Sequence, residues 1–201
     1  MELYKTVRSQ AEATNIIEKS RFIAHVKPVS SKEEADAFVA EIKGKYKDAT
    51  HNVPAMVIGD KFQIQWASDD GEPQGTAGLP VFNVLAKKNL QNVLVIVTRY
   101  FGGILLGKGG LIRAYTEATV KAIESANVYE IVEYEDLEII CEYNIKDKIL
   151  FFLEKSGYGY SVTYYEKVKC RIHLPSADLS NFVDEVIKFT ENRISYEILS
   201  K

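Results

Sequence analysis

Residues 92–100 read NVLVIVTRY, with an unbroken apolar, β-branched stretch from Val93 to Val97. No polar residue interrupts it to face water, so it fits a central strand buried on both faces. FGGILLGKGG (101–110) follows as a glycine-rich loop, and LIRAYTEATVKAIESA (111–126) then has helical periodicity. Leu111, Tyr115, Ala118 and Ala122 fall on one side of that helix, where the alanines permit close packing on a sheet. A buried strand, a glycine loop and an amphipathic helix place α/β layering at the centre of the chain.

The flanking segments extend this pattern. LYKTV (3–7) and RFIAHVKPV (21–29) alternate apolar and polar residues, as half-buried strands do. SSKEEADAFVAEIKGKY opens on Ser30 and Ser31 as caps, and Glu33 or Glu34 can complete a capping box. Its Ala35, Phe38, Val39 and Ile42 form one apolar stripe. NVPAMVIG (52–59) and KFQIQWAS (61–68) meet at Gly59-Asp60 and read as a hairpin. LPVFNVLAKKN (79–89) reads as a helix with Pro80 in its first turn.

The pattern changes between 127 and 134. LEIICEY, NIKDKILFFLEKSG, YSVTYYE, KVKCRIHLP, SADLSNFVDEVIKFTEN and ISYEIL then follow in turn. Asn144 and Ser176 are the expected helix caps, and Gly157 the expected stop. The order β-α-β-β-α-β is the ferredoxin-like signature. Two domains are therefore expected, 1–130 and 131–201, in an α+β chain.

The chain of 201 residues carries a net charge of −3. Residues 1–130 hold 16 basic and 15 acidic residues, a balance of +1; residues 131–201 hold 9 and 13, a balance of −4. This excludes a bulk-charge coat on nucleic acid but leaves room for a local basic patch in the first part. No segment is long and apolar enough for a membrane span, and the N-terminus does not read as a secretory signal. Cys141 and Cys170 form no C-x-x-C pair, which points to a reducing cytoplasm without a disulfide framework.

Two loops carry the chemistry. The first is SDDGEPQGTAGLP (68–80). Its Asp69, Asp70 and Glu72 suit a hard cation by type but lack the EF-hand spacing, and the alternative is a set of turns closed by side chain to backbone bonds. Gly75, Thr76 and Gly78 precede a helix, where free N–H groups suit an anion; the alternative is that Thr76 simply caps it. The second loop holds Gly102, Gly103, Gly107, Gly109 and Gly110, with Arg99 before it and Lys108 and Arg113 in and after it. So many glycines cost backbone entropy, and close approach of a ligand or of other backbone would account for them. The acids of the first loop are also candidates to neutralise Arg99 and Arg113. Neither loop is a Walker cradle. His51 beside Asn52 has no visible catalytic partner, and the other histidines, His25 and His173, lie far from it in sequence. No catalytic residue, metal site or cofactor is assigned.

SRFIAHV (20–26), the His51-Asn52 pair, SDDGEPQGTAGLP and VTRYFGGILLGKGGLIRAYTEA together resemble the IMPACT family, in particular its bacterial YigZ/YvyE-type members. The resemblance spans about 1–127, and the acidic remainder looks like the accessory domain of the bacterial members. It implies an N-terminal two-layer α/β domain of the ribosomal-protein domain 2-like fold and a C-terminal ferredoxin-like domain similar to domains of elongation factor G. The resemblance also implies that eukaryotic relatives regulate translation under amino-acid stress by binding an activator of the starvation kinase through an additional N-terminal domain, so that partner does not transfer to this sequence.

The expectation is a non-enzymatic cytoplasmic protein related to translation or its regulation. It would bind RNA or a ribosomal surface through Arg99, Gly102, Gly103, Lys108, Gly109, Gly110 and Arg113, with Asp69, Asp70, Glu72, Gly75, Thr76 and His51 alongside. Two alternatives stand beside it: a Mg-dependent hydrolase or phosphoryl-transfer enzyme using the acidic loop, and a protein-interaction module. The sequence leaves the oligomeric state open.

Overall fold

A computed structural model describes residues 2–199, with side chains described for 4–199. In chain order the strands and helices are β1 (Glu2–Val7), β2 (Ala11–Ile17), β3 (Ser20–Pro28), α1 (Lys32–Lys45), β4 (His51–Ile58), β5 (Ile64–Ala67), α2 (Gly78–Lys87), β6 (Val93–Tyr100) and α3 (Gly107–Ser125). They continue with β7 (Val128–Val132), β8 (Tyr134–Cys141), α4 (Lys146–Ser156), β9 (Gly159–Tyr164), β10 (Val168–Pro175), α5 (Leu179–Phe189) and β11 (Ile194–Leu199). The chain is α+β and divides into two compact units, Leu3–Ile131 and the residues from Val132 onward.

The first unit is built on a five-stranded sheet of order β2-β3-β6-β4-β5, every neighbouring pair antiparallel. β6 lies at its centre, and its alternation serves two cores. Val93, Val95 and Val97 join Phe22, Ala24, Val53 and Ala55 beneath α2 and α3. Leu94 and Ile96 join Phe38, Ile42 and Met56 beneath α1, on the other face. The layering of sheet against α2 and α3 is thus present, and α1 covers the opposite face. Ser31 caps α1 by accepting from Glu34 N–H, and the Glu34 carboxylate accepts in return from Ser30 N–H and Oγ–H.

Three local expectations are corrected. β2 was not expected. It pairs with β3 across Glu18 and Lys19, both with positive φ, a two-residue turn made without glycine. The β4–β5 hairpin does not turn at Gly59-Asp60 alone. Its last pair is Ile58 with Ile64, and the loop between them is held from outside: Gly59 N–H donates to Asn92 Oδ1 and Phe62 N–H to Gln91 Oε1. Helix α3 starts at Gly107, so GKGG is its first turn and Arg113 lies beyond that turn.

The second unit has the sheet order β11-β8-β10-β9, with all pairs antiparallel. Strands one and three are central and the helices follow strands one and three, which is the ferredoxin-like fold. α4 ends on Gly157 in the left-handed conformation, as expected. The other caps differ. Asn144 lies in a 3-10 turn before α4, whose cap position is Ile145. α5 starts after Asp178 rather than Ser176, and Ser176 Oγ is buried without a hydrogen-bond partner among the described residues. Cys141 and Cys170 are buried in this core; burial, then the neighbouring thiol, pushes Cys170 up to about 11, which makes it unreactive.

Candidate functional site

The end of strand β6 carries Arg99 onto the α2–α3 face, because it follows Val97 by two residues. It is 5% exposed. Its Nη1 donates to both oxygens of Glu72, at 2.7 and 2.9 Å. Tyr115, fully buried on α3, donates its hydroxyl to the same carboxylate at 2.7 Å. Burial, and then the negative Glu72, push that hydroxyl far above the ordinary phenol range, so it is a permanent donor. The Arg99 guanidinium lies within cation–π reach of Phe22 and Phe101, and its Nε has no partner among the described residues. His51 pairs with Arg99 across the strands. Its Nδ1 lies 2.8 Å from the Asp70 carbonyl, which can only accept, so Nδ1 carries the proton; Nε2 faces Glu72 at 3.8 Å.

The two aspartates of the acidic loop are also bound internally. Asp69 accepts from Gly75 N–H at 2.8 Å, Ala77 N–H at 3.1 Å and Gly78 N–H at 2.8 Å. Partial burial raises its pKa, but the three backbone donors together outweigh that and hold the carboxyl below its usual range. The anion expected at the start of α2 is therefore Asp69 itself. Thr76 does not cap the helix; its hydroxyl donates to the Pro73 carbonyl. Asp70 accepts from Asn52 N–H and from Lys43 Nζ. Three carboxylates thus serve three separate sets of donors. No group of three or more His, Cys, Asp or Glu side chains converges on a metal position among the described residues.

Behind the His51-Asn52 pair lies a polar relay. Thr98 donates to Asn52 Oδ1 at 2.7 Å, and His25 Nε2 lies 3.4 Å from Thr98 Oγ1. His25 is 1% exposed and meets Glu12 through Nδ1 at 3.1 Å. Burial lowers its pKa more than Glu12 raises it. Period-two alternation places His25 and Thr98 on one sheet face, but nothing in sequence marks them as neighbours.

The second loop has a different character. Gly102 lies against the β2–β3 turn, where an added Cβ would fall 2.1 Å from the Lys19 carbonyl carbon. Gly103 and Gly107 have positive φ. Gly109 has neither reason: an added Cβ would meet nothing within 4 Å. No acid lies in the first turn of α3, and no side chain caps it. Lys108 and Arg113 are exposed there, as are Phe101, Ile104, Leu105 and Ile112; Leu105 is 87% exposed. Of the cations expected at this end, Arg99 is locked to Glu72, while Lys108 and Arg113 face outward.

The family model described as the Impact N-terminal domain matches residues 18–123. The chain is 38% identical over 191 residues to the IMPACT family member YvyE of Bacillus subtilis, covering 94% of this chain and 88% of that protein. It is 33% identical to the IMPACT family member YigZ of Escherichia coli, covering 89% of each. A shorter match, 39% over 94 residues, covers 44% of this chain and 29% of the Protein IMPACT of Mus musculus. A crystal structure described only as that of a hypothetical protein aligns over all of this chain and 99% of its own at 30% identity, with a TM-score of 0.62.

Proposed function

The chain belongs to the IMPACT family, and from that premise we propose that it is a non-enzymatic protein of translation or its regulation, binding RNA or a ribosomal surface through the start of α3. The translation setting draws on kinship with the eukaryotic proteins named IMPACT. The observation that carries the binding reading is a contrast between two helix starts. At α2 the backbone donors are taken by Asp69. At α3 no side chain caps them, Gly109 leaves the backbone bare, and Lys108 and Arg113 stand beside it. Such a helix start favours phosphate. Phe101, 46% exposed, offers a ring face to an unstacked base.

In this reading Asp69, Asp70, Glu72, Gly75, Thr76, His51 and Arg99 form the rigid support, and residues 101–113 form the contact. The +1 balance over residues 1–130 suits weak, salt-sensitive association. Fluorescence anisotropy with labelled ribosomal RNA fragments tests it. Affinity should fall with added salt, and Lys108→Ala/Arg113→Ala should weaken it further and flatten the salt dependence. Binding indifferent to both salt and the double substitution would overturn the proposal.

A further inference from the structure

The second unit contains a cleft of about 530 Å³ between α4 and α5. Phe151 and Phe152 of α4, Phe182 and Phe189 of α5, and Tyr158 beyond the end of α4 line it. Four of these rings, those of Phe152, Phe182, Phe189 and Tyr158, form a connected set. Phe152 meets Phe182 at 5.5 Å and Phe189 at 5.3 Å between centroids, and Tyr158 meets Phe182 at 5.5 Å. Aromatic faces carry negative electrostatic potential, so a cluster of them attracts a cation that water solvates weakly. Two of these rings already carry a cation of the chain: Lys155 Nζ lies 4.3 Å from the Phe151 centroid and Lys148 Nζ 5.3 Å from that of Phe189.

Two carboxylates stand among these rings. Asp178 occupies the cap position of α5, yet its side chain makes no capping bond. It accepts instead from the Tyr158 hydroxyl at 3.0 Å, inside the cleft. Glu185 is exposed and accepts from Asn181 Nδ2 at 3.0 Å. A carboxylate can accept several hydrogen bonds, so both keep acceptor capacity within the cleft lining. Among the described residues the lining holds one cation, Lys155, against Asp178 and Glu185, so it is net acidic, as are residues 131–201 with 9 basic and 13 acidic residues.

We propose that this cleft is a binding site for an arginine side chain presented by a basic protein segment, its guanidinium stacked on the phenyl rings and hydrogen-bonded to Asp178 and Glu185. A guanidinium suits these walls better than an ammonium. It is planar, it stacks, and its forked donors match carboxylates. Charge complementarity also selects a basic segment over an apolar helix, which would leave both carboxylates facing hydrocarbon. This site is independent of the α3 surface and stands if that reading fails.

The test uses the full chain and two probes, an acetyl-Gly-Arg-Gly-amide peptide and its citrulline counterpart, which keeps the shape without the charge. Ring resonances of the phenylalanines, assigned by NMR, report occupancy. The arginine peptide should give saturable shifts at Phe151, Phe152 and Phe182, and the citrulline peptide none. Asp178→Asn/Glu185→Gln, which preserves shape and packing, should weaken the arginine peptide by about tenfold or more. Equal shifts from both peptides, shifts confined to other residues, no saturable shift, or full affinity in the double variant would each overturn the proposal. Ring shifts that grow with protein concentration alone would assign the cleft to a second copy of this chain and overturn it too.

Discussion

Glu72→Gln removes one charge from the buried cluster at the end of β6 and almost nothing else. The amide keeps the volume and an acceptor for the Tyr115 hydroxyl. Arg99, 5% exposed, loses the only carboxylate it bonds among the described residues, within walls made partly of Phe22. Breaking a buried ion pair from one side costs about 3–5 kcal/mol, because the remaining charge stays desolvated. With a urea slope of about 1–3 kcal/mol per molar, the unfolding midpoint of the first unit should drop by about 1 M or more. Trp66 is the single tryptophan and lies on β5, so its fluorescence follows that unit specifically. The double variant Glu72→Gln/Arg99→Met should regain much of the loss, since replacing both partners is far milder than stranding one. A midpoint change equivalent to less than about 0.5 kcal/mol for the single variant would refute the reasoning, for that is the scale of an ordinary surface substitution.

Other consequences are equally open to measurement. Gly102→Ala should destabilise the first unit by about 1–3 kcal/mol in urea unfolding, since its Cβ would fall on the Lys19 backbone. Gly109→Ala, with open space around the new methyl, should instead stabilise α3 by about 0.5–1 kcal/mol. Asp69 has a lowered pKa in the folded state, so its contribution is complete above the unfolded carboxyl value of about 3.9 and is lost as pH falls through the lower folded value. Acid unfolding of Asp69→Asn should lack that component. His25 is held neutral by burial, so stability should decline as pH falls below about 6.5 towards its lowered folded value; an NMR titration should find the imidazole protonating below that pH.

Much of the framework was legible because periodicity speaks directly of burial. Val93–Val97 announced a strand with two covered faces, and the alternation in Val168–Leu174 announced one with a single covered face. β2 was hidden because its inward residues include small alanines and its turn is Glu18-Lys19, without the usual asparagine or glycine. The start of α3 was hidden because glycine reads as a helix breaker, and Gly109 sits in the first turn without a packing reason. The acidic loop showed its composition but not its partners. Local spacing cannot tell that Asp69 reaches nine residues forward to Gly78, or that Glu72 reaches Arg99 while Arg113 faces outward. Tyr115 looked like an ordinary apolar-face residue, since its hydroxyl's partner lies 43 positions away.

Cosedimentation of the full chain with ribosomes over a range of salt concentrations tests binding by the exposed start of α3 directly. The wild-type chain should pellet with ribosomes at low salt and be released as salt rises, and Lys108→Ala/Arg113→Ala should remain in the supernatant while unfolding at the wild-type urea midpoint. A folded wild-type chain that never pellets, or a double variant that pellets as well as the wild type, would contradict it.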